Sequence, residues 1–212
     1  MSNEFQLRVA ELMCSRVCHD LISPIGAISN GVEFLNERAE GGSGNSAELI
    51  GKCSKQALDK LSFFRAAFGV GGQEGTLQWA EIRAMLENCA VERHVKIIWN
   101  GDDGEIGKKI PKVLGKLLLN LVYLAIECLP RGGVVSVDET IINLPKTVEL
   151  RIEGPKCILT DDVRSGLQPD LSVGVLSARN IVAYLAASFA ASLGRSLEVT
   201  DQSTEKFVIR IS

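Results

Sequence analysis

The sequence predicts an α+β protein: an N-terminal two-helix hairpin that forms a four-helix bundle in a dimer, followed by an α/β sandwich. Three observations carry that expectation. Residues 4–68 hold two long apolar stripes at helical spacing, parted by Gly41-Gly42-Ser43-Gly44. A second glycine-rich tract, Gly69-Val70-Gly71-Gly72-Gln73-Glu74-Gly75, ends the helical pattern and marks a boundary. Beyond it, β-branched stretches alternate with apolar helical ones. The expected units are residues 1–72 and 76–212.

The first helix is expected from about Glu4 to Arg38, with Asn3 and Gln6 as a capping pair. Its apolar stripe runs through Val9, Met13, Val17, Leu21, Ile25, Ile28, Val32 and Leu35. Pro24 cannot donate to the carbonyl of Asp20, so the helix should bend there. Asn45 with Glu48 is positioned to cap the second helix, whose stripe is Ile50, Cys53, Ala57, Leu61, Phe64 and Phe68. A short glycine-rich connection makes the two helices antiparallel neighbours. Two helices alone bury too little surface to stand independently. The missing half comes from a second copy or from the rest of the chain, and a symmetric dimer is the simple solution.

After the boundary, Thr76 to about Val91 reads as a helix with Leu77, Ile82, Met85, Leu86 and Cys89 inward. Val95 to Trp99 reads as a strand closed by the turn Asn100-Gly101-Asp102-Asp103-Gly104. Pro111 opens a strongly apolar helix that stops at Leu129-Pro130-Arg131-Gly132-Gly133. Val134–Ile142 and Thr147–Ile152 form a hairpin around Pro145, a helix spans roughly Val175 to Leu193, and strands near 197–200 and 207–211 finish the chain. Helices on one face of a largely antiparallel sheet are the natural packing.

Composition narrows the function. Hydrophobic residues make up 46% and charged residues 23%, as in ordinary globular proteins. A net charge of −3 gives no general attraction to nucleic acid or anionic lipid, so neither is an expected partner. Met1-Ser2-Asn3-Glu4-Phe5 lacks a basic segment followed by an apolar run, and no apolar run reaches the length of a membrane span. A cytoplasmic location is expected. Cys14 and Cys18 share a helix face near His19, but no second Cys or His pair completes a tetrahedral set, and His94 is the only other histidine. The six cysteines therefore read as reduced, with no metal and no cofactor held by this chain.

The residue that stands out is His19. At about 100° per residue it lies on the opposite side of the first helix from Val17 and Leu21. An outward imidazole is mostly neutral at pH 7 and is a candidate nucleophile. Asp20 follows it and is positioned to hold the ring or assist its proton. Ser15 and Arg16 precede it by four and three residues; Ile22 and Ser23 follow by three and four, all as helical neighbours. Arg16 can neutralise phosphate oxygens, Ser23 can donate a hydrogen bond, and Ile22 can pack an apolar partner surface.

His19-Asp20-Leu21-Ile22-Ser23-Pro24, followed by Ala27-Ile28 and Glu33, resembles the H box of dimeric sensor histidine kinases. In that family the histidine is phosphorylated on a dimerisation hairpin. Asn120-Leu121-Val122-Tyr123-Leu124-Ala125-Ile126-Glu127 is similar to the N box of the kinase ATP-binding domain, with Asn120 on the first asparagine of the motif. The second asparagine, which helps hold the nucleotide's metal, is replaced by Leu124. Ile152-Glu153-Gly154-Pro155-Lys156-Cys157 and Val173-Gly174-Val175-Leu176-Ser177 stand where the kinases carry glycine-rich phosphate loops. Phosphate cradles need glycines so that backbone N–H groups can approach the anion. Asn120 also has a plainer account: Lys112, Lys116, Asn120, Tyr123 and Glu127 form one polar stripe that faces solvent.

An intact phosphoacceptor hairpin joined to a degenerate kinase domain resembles the bacterial histidine phosphotransferases. The resemblance implies a homodimer that takes a phosphoryl group on His19 from the receiver domain of a hybrid kinase and passes it to a response regulator. Mg²⁺ would sit on the receiver, and Asp20 would assist. The competing readings are an active ATP-dependent histidine kinase and a scaffold that docks receivers without passing phosphate.

Overall fold

In the computed structural model, which describes residues 3–37, 43–69, 75–101, 107–138, 147–168, 170–200 and 202–212, helix α1 (Asn3–Glu37) packs along helix α2 (Ser43–Phe68) as the paired stripes require. The pairing is antiparallel. Gly31 lies so close to Ile50 that a Cβ there would meet its side chain at 2.7 Å, while the carbonyl of Asp20 lies 3.5 Å from the ammonium of Lys60. Both helices begin at or before their expected caps, since Asn3 opens α1 and Asn45 lies inside α2.

The apolar stripe of α1 divides in two. Met13, Val17 and Leu21 pack on the core, but Ile25 and Val32 are exposed. A step of four residues advances a helix by about 400°, so repeated steps of four carry a stripe about 40° further round each time. By Ile25 it has rotated off the packed face. Leu7, Ile25 and Val32 form a separate exposed apolar face, matched on α2 by exposed Leu58 and Leu61.

The second half builds a five-stranded sheet of order β2-β4-β5-β7-β6, from β2 (Val95–Asn100), β4 (Gly133–Asp138), β5 (Val148–Glu153), β6 (Leu197–Thr200) and β7 (Lys206–Ile211). Only β2 and β4 run parallel, and the crossover between them is helix α4 (Lys112–Glu127). Alternation sets the faces. Val135, Val137, Leu150, Ile152, Phe207 and Ile209 are buried under α4 and its neighbours α3 (Trp79–Glu92) and α6 (Ile181–Ser192). Glu149, Arg151 and Arg210 turn to the open face, where Arg210 and Arg151 each hold Glu149, at 3.1 and 3.2 Å.

Three expectations are corrected here. Thr76–Gln78 is strand β1, paired antiparallel with β3 (Lys109–Pro111), so α3 starts at Trp79 and not at Thr76. The last helix starts at Ile181 because Asn180 stops it there. Its Nδ2 donates to Asp162 Oδ1 at 2.7 Å and to the Val175 carbonyl at 2.8 Å, while its Oδ1 accepts from Ser177 N–H at 2.8 Å. Those bonds fasten a 3₁₀ turn, Val173–Val175, and the short helix α5 (Asp161–Gly166), whose cap Thr160 accepts from Val163 N–H at 3.3 Å. The third correction concerns Asn120, Tyr123 and Glu127, which face the hairpin instead of solvent. The expected strand extension 139–142, the turn around Pro145 and the turn residues Asp102-Asp103-Gly104 lie outside the described residues.

The hairpin and the sheet domain share one core. Phe5, Leu12, Phe63, Phe64 and Ala67 belong to the same buried cluster as Leu117, Leu118 and Leu121. Phe63 meets Tyr123 at 4.7 Å between ring centres and Phe5 meets Tyr184 at 5.5 Å. The rest of the chain therefore supplies part of the cover that the two helices lack. Polar groups of α4 also serve the C-terminal end of α2. Lys116 Nζ donates to the Gly69 carbonyl at 2.7 Å, and Asn120 Nδ2 donates to the Ala67 carbonyl at 3.3 Å. Carbonyls in the last turn of a helix have no partner of their own, and a cation there is favourable.

Candidate functional site

His19 sits halfway along α1 on a face that packs against nothing; its side chain is 83% exposed. Its Nδ1 lies 3.0 Å from Asp20 Oδ1. Asp20, by contrast, is turned inward and only 13% exposed. The carboxylate thus connects the outward imidazole to the interior. Its second oxygen, Oδ2, accepts from Arg16 Nε at 2.9 Å and from the Tyr123 hydroxyl at 3.3 Å.

Arg16 is the centre of that inner group. Its Nη2 donates to Tyr123 Oη at 3.4 Å and pairs with Glu127 Oε1, which also lies 3.5 Å from Arg93 Nη2. Tyr123 and Glu127 are one turn apart on α4, so the second domain reaches the residue beside the histidine. The expectation that Arg16 faces a partner is corrected in this respect: its guanidinium is largely buried and directed at Asp20, Tyr123 and Glu127. Ser15, Ile22 and Ser23 are exposed around His19, with Ile22 at 71%.

The electrostatics follow from burial and pairing. Burial alone would raise the Asp20 carboxyl, but the hydrogen bond to His19, the charge and hydrogen bond of Arg16 and the hydroxyl of Tyr123 outweigh it and hold the group below its usual range. Burial disfavours the Arg16 charge, and Glu127, Tyr123 and Asp20 more than restore it. Burial, with Glu127 and Asp20 nearby, pushes the Tyr123 phenol above its ordinary value, so the hydroxyl keeps its proton and donates. Burial, complete at Cys128 and partial at Cys89, pushes both thiols up to about 12.

The stretch of α4 that resembles the N box is closed. Asn120 is fully buried, its amide N–H groups taken by the carbonyls of Ala67 and Lys116, and Leu124 is 2% exposed. A Cβ on Gly154 would meet the Gly132 carbonyl at 2.7 Å, so that glycine serves close strand packing and not a phosphate loop. The cavity between α2, α3 and α4, lined by Phe63, Phe64, Met85 and Cys89, holds about 90 Å³, against roughly 300–1,000 Å³ for ordinary small-molecule pockets. Among the described residues no group of three or more His, Cys, Asp or Glu side chains converges as a metal site.

The sequence singled out His19 and Asp20, which the structure brings together, but not Tyr123 and Glu127, which join them. The available signal was a polar pair one turn apart in a helix that is otherwise apolar almost throughout.

An exposed histidine on a two-helix hairpin, its neighbouring carboxylate held by Arg16 and by Tyr123 of α4, is an arrangement suited to a phosphotransfer protein. The chain belongs to the histidine phosphotransferase family, which acts by phosphotransfer in two-component signalling: residues 79–205 match the model of the histidine phosphotransferase C-terminal domain. It is 30% identical over 202 residues to the protein phosphotransferase ChpT of Brucella abortus (strain 2308), covering 91% of this chain and 90% of that one. The solved structure of a bacterial phosphotransferase matches with a TM-score of 0.78 and 27% identity, over 100% of this chain and 98% of the other.

Two predictions follow from the inner group. Arg16→Ala leaves the largely buried Asp20 carboxylate without a cation, and Glu127 with Arg93 at 3.5 Å, and should cost about 3 kcal/mol in urea unfolding, within the range for breaking a buried pair. The second concerns acid. A carboxyl held below its unfolded value near 3.9 stabilises the fold above that pH and loses its contribution as pH falls through the folded value. Stability should drop below about pH 4, and Asp20→Asn should flatten that limb in pH-dependent unfolding.

Proposed function

We propose that this protein is the histidine phosphotransferase of a bacterial phosphorelay: His19 accepts a phosphoryl group from the aspartyl phosphate of a hybrid kinase's receiver domain and passes it to a response regulator. The observation that supports this most directly is the bond between His19 Nδ1 and Asp20 Oδ1. An ionised carboxylate only accepts, so the ring must carry its proton on Nδ1. Nε2 then presents a free lone pair to solvent. It attacks phosphorus, the acyl phosphate's P–O bond breaks, and the receiver's carboxylate leaves with the electron pair. The Nδ1 proton stays on the ring, and the positive charge that develops there faces Asp20.

Phosphoryl transfer of this kind depends on positioning and charge neutralisation. The receiver brings the aspartate and its Mg²⁺, and this chain supplies the imidazole and a docking surface of Ser15, Ile22 and Ser23. Residues 1–72 act as the phosphotransfer hairpin and 76–212 as a kinase-like domain without kinase activity. The burial of Asn120 and Leu124 supports the loss of ATP binding. No helix among the described residues is long and apolar enough to cross a membrane, in keeping with the cytoplasmic location that a phosphorelay implies. The exposed face of Leu7, Ile25, Val32, Leu58 and Leu61 supports a homodimer through a four-helix bundle.

Three outcomes are expected. His19→Gln keeps a polar side chain but removes the nucleophile, so label on a phosphorylated receiver should stay there; passage of label through the variant would overturn the reading. Titration calorimetry with Mg-ATP should show no binding heat, and a micromolar dissociation constant would favour the kinase instead. Leu61→Glu should place a charge in the bundle and give a monomer by light scattering, whereas a monomeric wild type would refute the dimer.

A further inference from the structure

We propose that Tyr123 and Glu127, on the second domain, are positioning residues of the phosphotransfer centre, holding Asp20 so that one carboxylate oxygen remains free for His19. The inference rests on the function proposed for His19 and assigns the kinase-like domain a part in it.

The argument starts from what Arg16 would do alone. An arginine one turn from an aspartate forms a fork that matches both carboxylate oxygens. Such a bidentate pair would occupy Oδ1 and compete with His19. Here only Nε reaches Asp20, at Oδ2. The other prong, Nη2, is drawn aside to Glu127 and to the Tyr123 hydroxyl. Tyr123 then donates to the same Oδ2 at 3.3 Å, so both inner donors fall on one oxygen. Oδ1 is left to accept from His19 Nδ1 at 3.0 Å. That bond sets the tautomer and leaves Nε2 as the nucleophile.

α4 is fixed well enough to do this. Its residues 117–119 and 121–122 are fully buried, and the Tyr123 ring packs on Phe63 of α2. Arg93 braces Glu127 from the far side.

The test uses the full chain and does not require a partner. Potassium phosphoramidate is a small phosphoryl donor: its P–N bond breaks, ammonia leaves, and a new N–P bond forms at the imidazole. His19 and His94 are the only histidines, so ¹⁵N-resolved NMR of the ring nitrogens reads the His19 tautomer directly. Tyr123→Phe keeps the ring and removes only the hydroxyl. It should slow phosphorylation of His19 about three- to tenfold, the value of one hydrogen bond, and shift the ring towards the Nε2–H form. Glu127→Ala should do the same by releasing Nη2 to Oδ1, and Glu127→Gln, which still accepts from Nη2, should restore most of the rate. Thermal unfolding of each variant identifies loss of fold, and Tyr123→Phe, with its packing intact, keeps the question open to measurement even where Glu127→Ala unfolds. An unchanged tautomer and rate in Tyr123→Phe and in folded Glu127→Ala would overturn the proposal, as would failure of Glu127→Gln to restore the rate. Should the wild type carry no phosphoryl group from a receiver, the function proposed for His19 fails, while the tautomer measurement still decides the roles of Tyr123 and Glu127.

Discussion

The carboxylate of Asp20 is where this structure joins. One oxygen bonds to an imidazole in solvent and the other to an arginine and a phenol in the seam between α1 and α4. A carboxylate in that position is unfavourable to bury, and the three donors that converge on it outweigh that penalty and favour its ionised form. The same three donors come from α1 and α4. The ionisation of Asp20 therefore rests first on His19 and Arg16 of its own helix, and the packing of α4 adds the Tyr123 hydroxyl to them.

That dependence gives α4 a part in holding the hairpin as well as in the core of the sheet. The helix carries Asn120 and Lys116 against the last carbonyls of α2, and Tyr123 and Glu127 against Arg16. Every one of these side chains points at the hairpin. An asparagine meant for a metal has to stay accessible, whereas one that satisfies a helix end must be buried beside it. Asn120, fully buried with both N–H groups engaged, meets the second requirement and fails the first.

Much of this was legible in the sequence where periodicity or local chemistry dictates the outcome. The hairpin followed from two stripes at helical spacing, the strands of the five-stranded sheet from β-branched runs, and the exposure of His19 from its angle to Val17 and Leu21. What was illegible depends on distant residues. The polar stripe on α4 has the spacing of a solvent face, and nothing local distinguishes it from one that faces another helix; Arg16, about a hundred positions earlier, makes the difference. Ile25 and Val32 were misplaced for a different reason, since a stripe built from four-residue steps drifts round the helix. The helix start at Ile181 was missed because a side-chain bond network around Asn180, not a proline or glycine, ends the preceding turn.

The same logic gives Pro24 a purpose. Its ring lacks the N–H that would bond the Asp20 carbonyl, and α1 is helical on both sides of it. The freed carbonyl lies 3.5 Å from Lys60 Nζ on α2, which also pairs with Glu92 of α3 at 3.4 Å. The backbone of Asp20 is thereby held from one neighbouring helix, while its side chain is held from another. A residue fixed at both its carbonyl and its carboxylate has little freedom left. The imidazole next to it is 83% exposed and still has one defined orientation, which the transfer proposed for it would use.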